Sequence, residues 1–328
     1  MKQKVLITGA SGFIGLHLVD AALDAGLDVY TGIRKTSNIA QFSEYSITHT
    51  YPDYGDLESL EKELELRQYD YIIHAAGVTK ARSEALYNSI NGEYTFNLVR
   101  AAVNAKISLQ KIVLISSLAS IGPLNEANSC ITGDTLPQPV TAYGRSKLLA
   151  ELKLKESGIP WIILRPTAVY GPGEKDIFLV FKMISRGVEA YIGKGEQKLS
   201  FVYVKDLARV AVKALFAPAS REDYNITDGH AYSRYALADT IKAYLNKKSL
   251  RFHLPYTAVK GVAAVMEKLY ERFNRTAVVN REKLLELTGA NWTCDISKAR
   301  RELGFSPEYD LKNGVKETID WYKQQRWL

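Results

Sequence analysis

The sequence predicts an α/β fold, a doubly wound parallel sheet that carries a smaller C-terminal α/β lobe. Three observations lead there. Short apolar runs alternate with helical segments through the first half of the 328 residues, the pattern of repeated βαβ units with right-handed crossovers. A glycine-rich turn, TGASGFIG at 8–15, directly follows the first of those runs. Beyond Arg165-Pro166 the alternation lapses into loops and shorter mixed elements.

Taken in order, residues 5–8 form a buried strand. Residues 13–25 are helical, with Ile14, Leu18 and Ala22 four apart on one face, and Gly26 ends the helix. Residues 27–33 form the second strand, 57–66 an acidic helix, 71–75 a third apolar strand and 83–103 a long helix. A strand at 111–116 (Ile112 to Ile115 uninterrupted), a helix at 142–156 and a strand at 161–164 complete the regular part. Gly171-Pro172-Gly173 and Gly193-Lys194-Gly195 mark loops. Residues 201–204 and 206–215 read as one more strand and helix that rejoin the sheet, and a mixed lobe follows from about 219.

Bulk properties exclude several classes. A hydrophobic content of 46% supplies a core, and no run approaches 18 apolar residues, so no membrane span is expected. The first strand starts at once, without a signal peptide. Cys130 and Cys294 stand apart without metal spacing, and the five histidines form no ligand cluster. Free thiols and no metal fit a reducing, cytoplasmic setting.

The chemistry lies in two widely separated motifs. Gly9, Gly12 and Gly15 recur every third residue between a strand and a helix. Such a turn brings backbone N–H groups to a pyrophosphate at a helix N-terminus, although taken alone it is also an ordinary tight turn. Tyr143 and Lys147, in Tyr143-Gly-Arg-Ser-Lys147, share one helix face. A phenol beside an ammonium can exchange a proton with a hydroxyl-bearing carbon centre, although alone the pair is an ordinary helix face. Dinucleotide at one end and a tuned tyrosine at the other imply hydride transfer. Residues 1–165 with 197–218 are then the cofactor-binding domain, and 166–196 with 219–328 the substrate lobe.

Further motifs stand between and beyond these two. They are Gly55-Asp56-Leu57, His74-Ala75-Ala76-Gly77, Ser116-Ser117, Leu164-Arg165-Pro166-Thr167-Ala168-Val169-Tyr170-Gly171-Pro172, Phe201-Val202-Tyr203-Val204-x-Asp206, and a tail from Asp295 through Gly304 to Pro307. Nearly end to end, the chain resembles the extended short-chain dehydrogenase/reductase family, which includes NAD-dependent epimerases and dehydratases. Its motifs come nearest the branch of dihydroflavonol reductases and 3β-hydroxysteroid dehydrogenases. The resemblance implies a Rossmann domain and residue roles. Gly9, Ser11, Gly12, Phe13, Ile14 and Gly15 form the pyrophosphate turn. Asp56 accepts from the adenine amine, with Leu57 beside the ring. Ala75, Ala76 and Gly77 line the ribose and phosphate path, and Pro166 and Thr167 meet the nicotinamide amide. Tyr143 is the general acid/base. Lys147 holds the nicotinamide ribose and lowers the phenol's pKa. Ser117, rather than a locally satisfied Ser116, bonds the substrate oxygen. Val78, Ser117, Tyr170 and Tyr191 are the expected substrate contacts. Asn91 matches the family's helix asparagine, with a structural role as the alternative. His74, closing a buried strand, reads as a satisfied core residue.

The second strand ends Thr31-Gly32-Ile33-Arg34-Lys35, where an NAD enzyme usually presents an acid to the ribose 2′-hydroxyl. Arg34 in a fork and Lys35 as a point charge suit a 2′-phosphate instead, so NADP(H) is the expected cofactor. The resemblance also bears on substrate. Leu118 and Ala119 stand where sugar dehydratases carry an acid pair. Leu199 and Ser200 stand where sugar-nucleotide members present Arg-Asp to a diphosphate. The expectation is an NADPH-dependent reductase of a hydrophobic, lipid-like ketone or aldehyde, or the reverse reaction, with a sugar-nucleotide epimerase or reductase as the alternative.

Charge adds one more feature. Of a net +7, the segment from Lys242 to Lys283 supplies ten Lys/Arg against three Asp/Glu. Within it Tyr256, Val259, Val262, Met266, Leu269, Tyr270 and Phe273 fall at helical spacing. Peripheral contact with an anionic membrane is one expectation and a helix packed on the lobe the other. No nucleic-acid-reading motif accompanies the charge. In relatives the helices corresponding to 83–103 and 142–156 form a dimer interface, so a homodimer is expected.

Overall fold

The computed structural model of the chain describes residues 2–126, 128–272 and 281–328. Phe273, the last residue of the apolar stripe, lies outside that set, as do the side chains of Lys268, Leu269, Tyr270 and Arg272.

Seven parallel strands form the central sheet. They are Lys4–Thr8 (β1), Asp28–Gly32 (β2), Thr48–Thr50 (β3), Tyr71–His74 (β4), Lys111–Ile115 (β5), Trp161–Pro166 (β6) and, later in the chain, Glu222–Ile226. Three short pairs lie outside it: Ala168–Tyr170 (β7) with Phe201–Tyr203 (β10), Lys198–Leu199 (β9) with Tyr232–Ser233 (β12), and Val188–Ile192 (β8) with Leu250–Leu254 (β13). With Glu222–Ile226 as β11, the sheet order is β11-β6-β5-β4-β1-β2-β3. The order reverses between β1 and β4, so their carboxyl ends bound the crevice where such sheets bind ligands.

The helices are Phe13–Asp24 (α1), Leu57–Arg67 (α2), Glu84–Tyr87 (α3), Tyr94–Asn104 (α4), Ala142–Lys155 (α5), Phe178–Ser185 (α6), Val204–Phe216 (α7), Ala236–Leu245 (α8), Tyr256–Arg272 (α9), Arg281–Thr288 (α10), Ser297–Leu303 (α11) and Leu311–Gln324 (α12). Alternation along β1 explains the two layers. Val5 and Ile7 pack with Leu18, Leu207 and Val210 on one face, and Leu6 packs with Leu60, Leu98 and Leu154 on the other. A third cluster, around Phe181, Tyr203, Ile241 and Ile319, forms the core of the lobe.

The strand at 201–204 does not rejoin the sheet. It pairs with β7 instead, because the place beside β6 is taken by β11, whose Glu222 to Ile226 run against Ile162 to Pro166. The helix expected at 83–103 is interrupted, with Asn88–Glu93 as a π-helical segment between α3 and α4. Such segments recur at functional sites.

Candidate active site

The glycine turn is fixed by close packing. Gly9 sits at φ +68°, and a β-carbon there would lie 2.8 Å from the Ala75 carbonyl and from Ala76. One on Gly15 would lie 2.2 Å from the Gly9 carbonyl. The turn is therefore pressed onto the 75–77 segment, which is also tied by Ala76 N–H donating to Thr8 Oγ1 at 3.1 Å. Gly12 caps α1 without any side chain bonding its first N–H groups, so those donors face the crevice free for an anion. Phe13 and Ile14 begin the helix. Arg34 and Lys35 are exposed just past β2 and pair with no carboxylate among the described residues. Ser37, which sequence reasoning passed over, joins them to the turn: its Oγ accepts from Arg34 N–H and from the Ser11 hydroxyl, both at 3.2 Å. Asp56 caps α2, its Oδ1 accepting from Ser59 N–H at 3.1 Å, and Leu57 opens that helix.

The residues expected to handle the proton gather where α5 meets the end of β5. Thr141 caps α5, which sets Tyr143 and Lys147 one turn apart. Lys147 is buried and donates from Nζ to the Ile115 carbonyl at 2.7 Å. Burial pulls its ammonium down to about 8, against an opposing pull from Glu151. For Tyr143, burial pushes the phenol up to about 12, while the nearby Ser117 hydroxyl draws it down and Glu286 and Tyr87 add to the rise. The expected depression of the phenol by Lys147 is thus not what sets its pKa here, because the loss of water around the hydroxyl dominates.

Ser116 and Ser117 separate cleanly. The Ser116 hydroxyl is buried and donates to Glu151 Oε1 at 2.5 Å, whereas Ser117 accepts from Ala119 N–H at 3.2 Å and lines a cavity of about 450 Å³. Ser120 also donates to Glu151, at 2.7 Å, so one carboxylate grips both sides of Ser117. Glu151 is fully buried and is held in turn by Arg165 at 2.7 Å, which reaches on to Asp223 at 2.7 Å. Asn91 is saturated: its Oδ1 accepts from Val78 N–H at 2.8 Å, and its Nδ2 donates to the Val78 carbonyl and to Ser146 Oγ. His74 bonds Thr8 through one nitrogen and Thr95 through the other. Burial and the nearby Lys147 hold it down at about 3, a neutral core residue.

From Ser117 the cavity runs into the lobe. Pro166, Thr167 and Tyr191 line it, together with Leu118, Ala119, Ile177, Val180, Leu199, Leu237, Leu287 and Trp292. Tyr170 lies elsewhere, buried in the lobe core with its hydroxyl donating to the Asp310 carbonyl at 3.2 Å. Val78 and Tyr143 pack against the same small cluster of Ala81, Tyr87 and Ala142.

Comparison with known proteins places this geometry. The sequence model of the NAD dependent epimerase/dehydratase family matches residues 5–227. The chain belongs to that family. It is similar to a UDP-glucose 4-epimerase of Vibrio cholerae, at 27% identity over 99% of this chain and 97% of that one. A ceramide reductase of Caulobacter vibrioides is 24% identical over 99% and 96%. The crystal structure of a UDP-glucose 4-epimerase from Thermotoga maritima superposes with a TM-score of 0.81 at 21% identity, over 99% and 100% of the two chains.

In this member of the NAD dependent epimerase/dehydratase family, three further charged residues around the site escaped the sequence reading, besides Ser37 and Glu151. Glu286 and Arg234 line the cavity. Arg234, 9% exposed, donates to the carbonyls of Ile192 and Gly195 and has no carboxylate partner among the described residues. Glu282, from α10, accepts from Ala142 N–H at 2.6 Å and pairs with Arg145 at 2.7 Å, docking α10 beside Tyr143. No local signal distinguishes these residues from solvated charges, because each acquires its role only across the chain.

Proposed function

We propose that the protein is an NADP(H)-dependent oxidoreductase that reduces the ketone or aldehyde of a hydrophobic, lipid-like substrate to an alcohol, or runs the reverse reaction. The observation that carries this reading is the cavity wall beside Ser117, where Leu118, Ala119 and Leu199 present hydrocarbon to the substrate. The nicotinamide, when bound, supplies or accepts the hydride. The fit of such a cofactor rests on the close-packed Gly9 and Gly15, the uncapped start of α1, and the rim of Ser11, Ser37, Arg34 and Lys35. Tyr143, its pKa raised to about 12, is a neutral phenol near pH 7 and is ready to donate its proton to a carbonyl oxygen. Ser117, on the cavity wall near that phenol, orients the same oxygen. Lys147, one turn along, is positioned for the ribose.

A sugar-nucleotide epimerase or reductase is the second reading. Arg234 favours it, being a cation on the cavity wall without an acid partner among the described residues. Two assays decide between the readings: NADPH consumption across a panel of hydrophobic and polar carbonyls, and calorimetric titration with UDP- and GDP-sugars. Turnover of apolar carbonyls without sugar-nucleotide binding is expected. Tight sugar-nucleotide binding with no carbonyl turnover would overturn the reductase reading.

We also propose a homodimer through α4 and α5, which leave Val103 and Leu152 about half exposed. A monomeric mass in light scattering at micromolar concentration would contradict it.

A further inference from the structure

The β8–β13 ribbon has its polarity reversed. The two strands pair in parallel with Val188 beside Leu250, Ala190 beside Phe252 and Ile192 beside Leu254. Side chains alternate across a strand, so these six share one face, and Glu189, Tyr191, Arg251 and His253 share the other. The charged face is packed inward along β8 at Glu189, while Arg251 on β13 stays exposed. Glu189 is 3% exposed and accepts from Tyr191, Lys242, Ser249 and Arg251, while Arg251 lies over the Tyr235 ring at 4.2 Å. The apolar face is the one left outside, with Leu250 65%, Leu254 46% and Phe252 41% exposed. On α6, immediately before the ribbon, Leu179, Val180 and Met183 are exposed as well. On α9, immediately after it, Val262 and Val265 are exposed. Single exposed apolar residues need no explanation, but a whole ribbon face does.

Two observations name the occupant. The first is charge. Residues 240–266 hold five cations, Lys242, Lys247, Lys248, Arg251 and Lys260, and no acid. Lys242 and Arg251 are engaged by Glu189 and Asp239. Lys247, Lys248 and Lys260 are exposed and unpaired among the described residues, so the apolar face is bordered by free positive charge. The second is continuity. Val180, Met183, Val188, Ala190 and Ile192 belong both to this surface and to the wall of the cavity that ends at Ser117. Hydrocarbon in front, cations at the rim and an apolar cavity behind are complementary to an anionic lipid surface.

We propose that the β8–β13 face seats the protein on an anionic lipid surface and that the substrate passes from that surface along β8 into the cavity. The passage, but not the seating, rests on the hydrophobic-carbonyl reading above. The test is co-sedimentation with vesicles of phosphatidylglycerol and phosphatidylcholine, against phosphatidylcholine alone, at low and high salt. The wild type is expected to bind only the anionic vesicles, and about tenfold or more weaker at 0.5 M than at 0.05 M salt, because exposed charges are screened within about 10 Å at 0.1 M. Phe252→Asp, and separately the pair Lys247→Glu and Lys248→Glu, should each weaken binding about tenfold or more, since each basic residue near such a surface contributes about 1 kcal/mol. Neither change should lower the melting temperature, because all three side chains are exposed.

Absence of vesicle binding at 0.05 M salt, or binding that neither variant alters, would overturn the proposal. So would a change of oligomeric mass in Phe252→Asp without loss of vesicle binding, which would assign the face to a second copy of the chain. Turnover of a water-soluble carbonyl separates the two levels. If vesicles are not bound but that carbonyl is reduced, the seating fails and the reductase reading stands. If vesicles are bound but no carbonyl is turned over, the reverse holds.

Discussion

Replacing Tyr143 by Phe removes one hydroxyl from the site and nothing else. The ring packs against the cluster of Ala81, Tyr87 and Ala142, with Tyr87 edge-on at 6.2 Å, and these contacts survive. The neighbouring Ser117 keeps its own bond, its Oγ accepting from Ala119 N–H at 3.2 Å, so no buried group is orphaned. The stability change should therefore stay within about 1 kcal/mol, the net worth of an ordinary hydrogen bond. The glycine turn and the 34–37 rim are untouched, so cofactor affinity should hold within about threefold, a change of less than about 1 kcal/mol. Turnover should not hold. Loss of a positioned proton donor removes about 10²–10⁴-fold in rate, a barrier increase of about 2.7–5.4 kcal/mol. The assay is single-turnover oxidation of NADPH with a saturating carbonyl substrate, alongside thermal melting and fluorescence titration of the cofactor. A variant that melts and binds cofactor like the wild type yet turns over within about fivefold of it, well short of the tenfold that about 1.36 kcal/mol makes, would refute the assignment. The proton would then come from elsewhere, and Glu286, which lines the same cavity, would be the first group to examine.

Arg34→Ala should weaken NADPH about 10- to 150-fold while leaving NADH nearly unchanged, the loss of one charge-assisted bond of about 1.5–3 kcal/mol; fluorescence titration with both cofactors checks this, and tighter binding of NADH than NADPH by the wild type would sink it. Glu151→Ala should destabilise the fold by about 3–5 kcal/mol, because it leaves the Arg165 guanidinium buried beside only Asp223; a urea melt indistinguishable from wild type would contradict the role given to that carboxylate. Glu189 carries a pH signature. Burial pushes its carboxyl up, but hydrogen bonds from Tyr191, Lys242, Ser249 and Arg251 outweigh that and hold it at about 2, below the ordinary 4.5. A depressed carboxylate contributes stability that is full above pH 4.5 and is lost as pH falls toward 2, so Glu189→Gln should flatten acid unfolding across that window and cost most near neutrality; acid melts of equal slope in the two proteins would exclude it.

The cofactor half was legible because its signals are local. Gly9 needs a positive φ and has no room for a β-carbon, and both demands fall within the eight residues 8–15. Tyr143 and Lys147 are one helical turn apart, which spacing alone conveys. Local pattern failed where the partner is distant. Glu151 reads as a solvated charge on a helix face, four residues from Lys147, yet it is the buried anchor on both sides of Ser117, because Arg165 meets it from a neighbouring strand. Residues 201–203 have the composition of a sheet strand, but which strand sits beside β6 depends on a pairing with 222–226 that no short window contains. The ribbon shows the same limit from the other side. Its outward apolar face copies the alternation of a half-buried strand, and only the fold reveals that the polar half, at Glu189, is the inner one.

The identity of the substrate turns on how much a single arginine can hold. A guanidinium offers five N–H donors. In Arg234 two of them are committed to the carbonyls of Ile192 and Gly195, and Nε is enclosed without a partner. At most two donors remain for a ligand, on a group that already sits over the Tyr191 and Tyr235 rings at 5.2 and 5.9 Å. A diphosphate carries two anionic charges that must both leave water, and desolvating them needs several charge-assisted bonds. Leu199, at the position where the resemblance leads one to look for an arginine, supplies none, and Ser200 spends its hydroxyl on the His230 carbonyl at 3.1 Å. On the hydrophobic-carbonyl reading, Arg234 meets one anionic or strongly polar group and the remainder of the ligand lies against Leu237, Leu287 and Trp292. If Arg234→Met left sugar-nucleotide binding measurable and undiminished, this count of donors would be wrong, and the diphosphate would have to be held by residues outside the cavity wall.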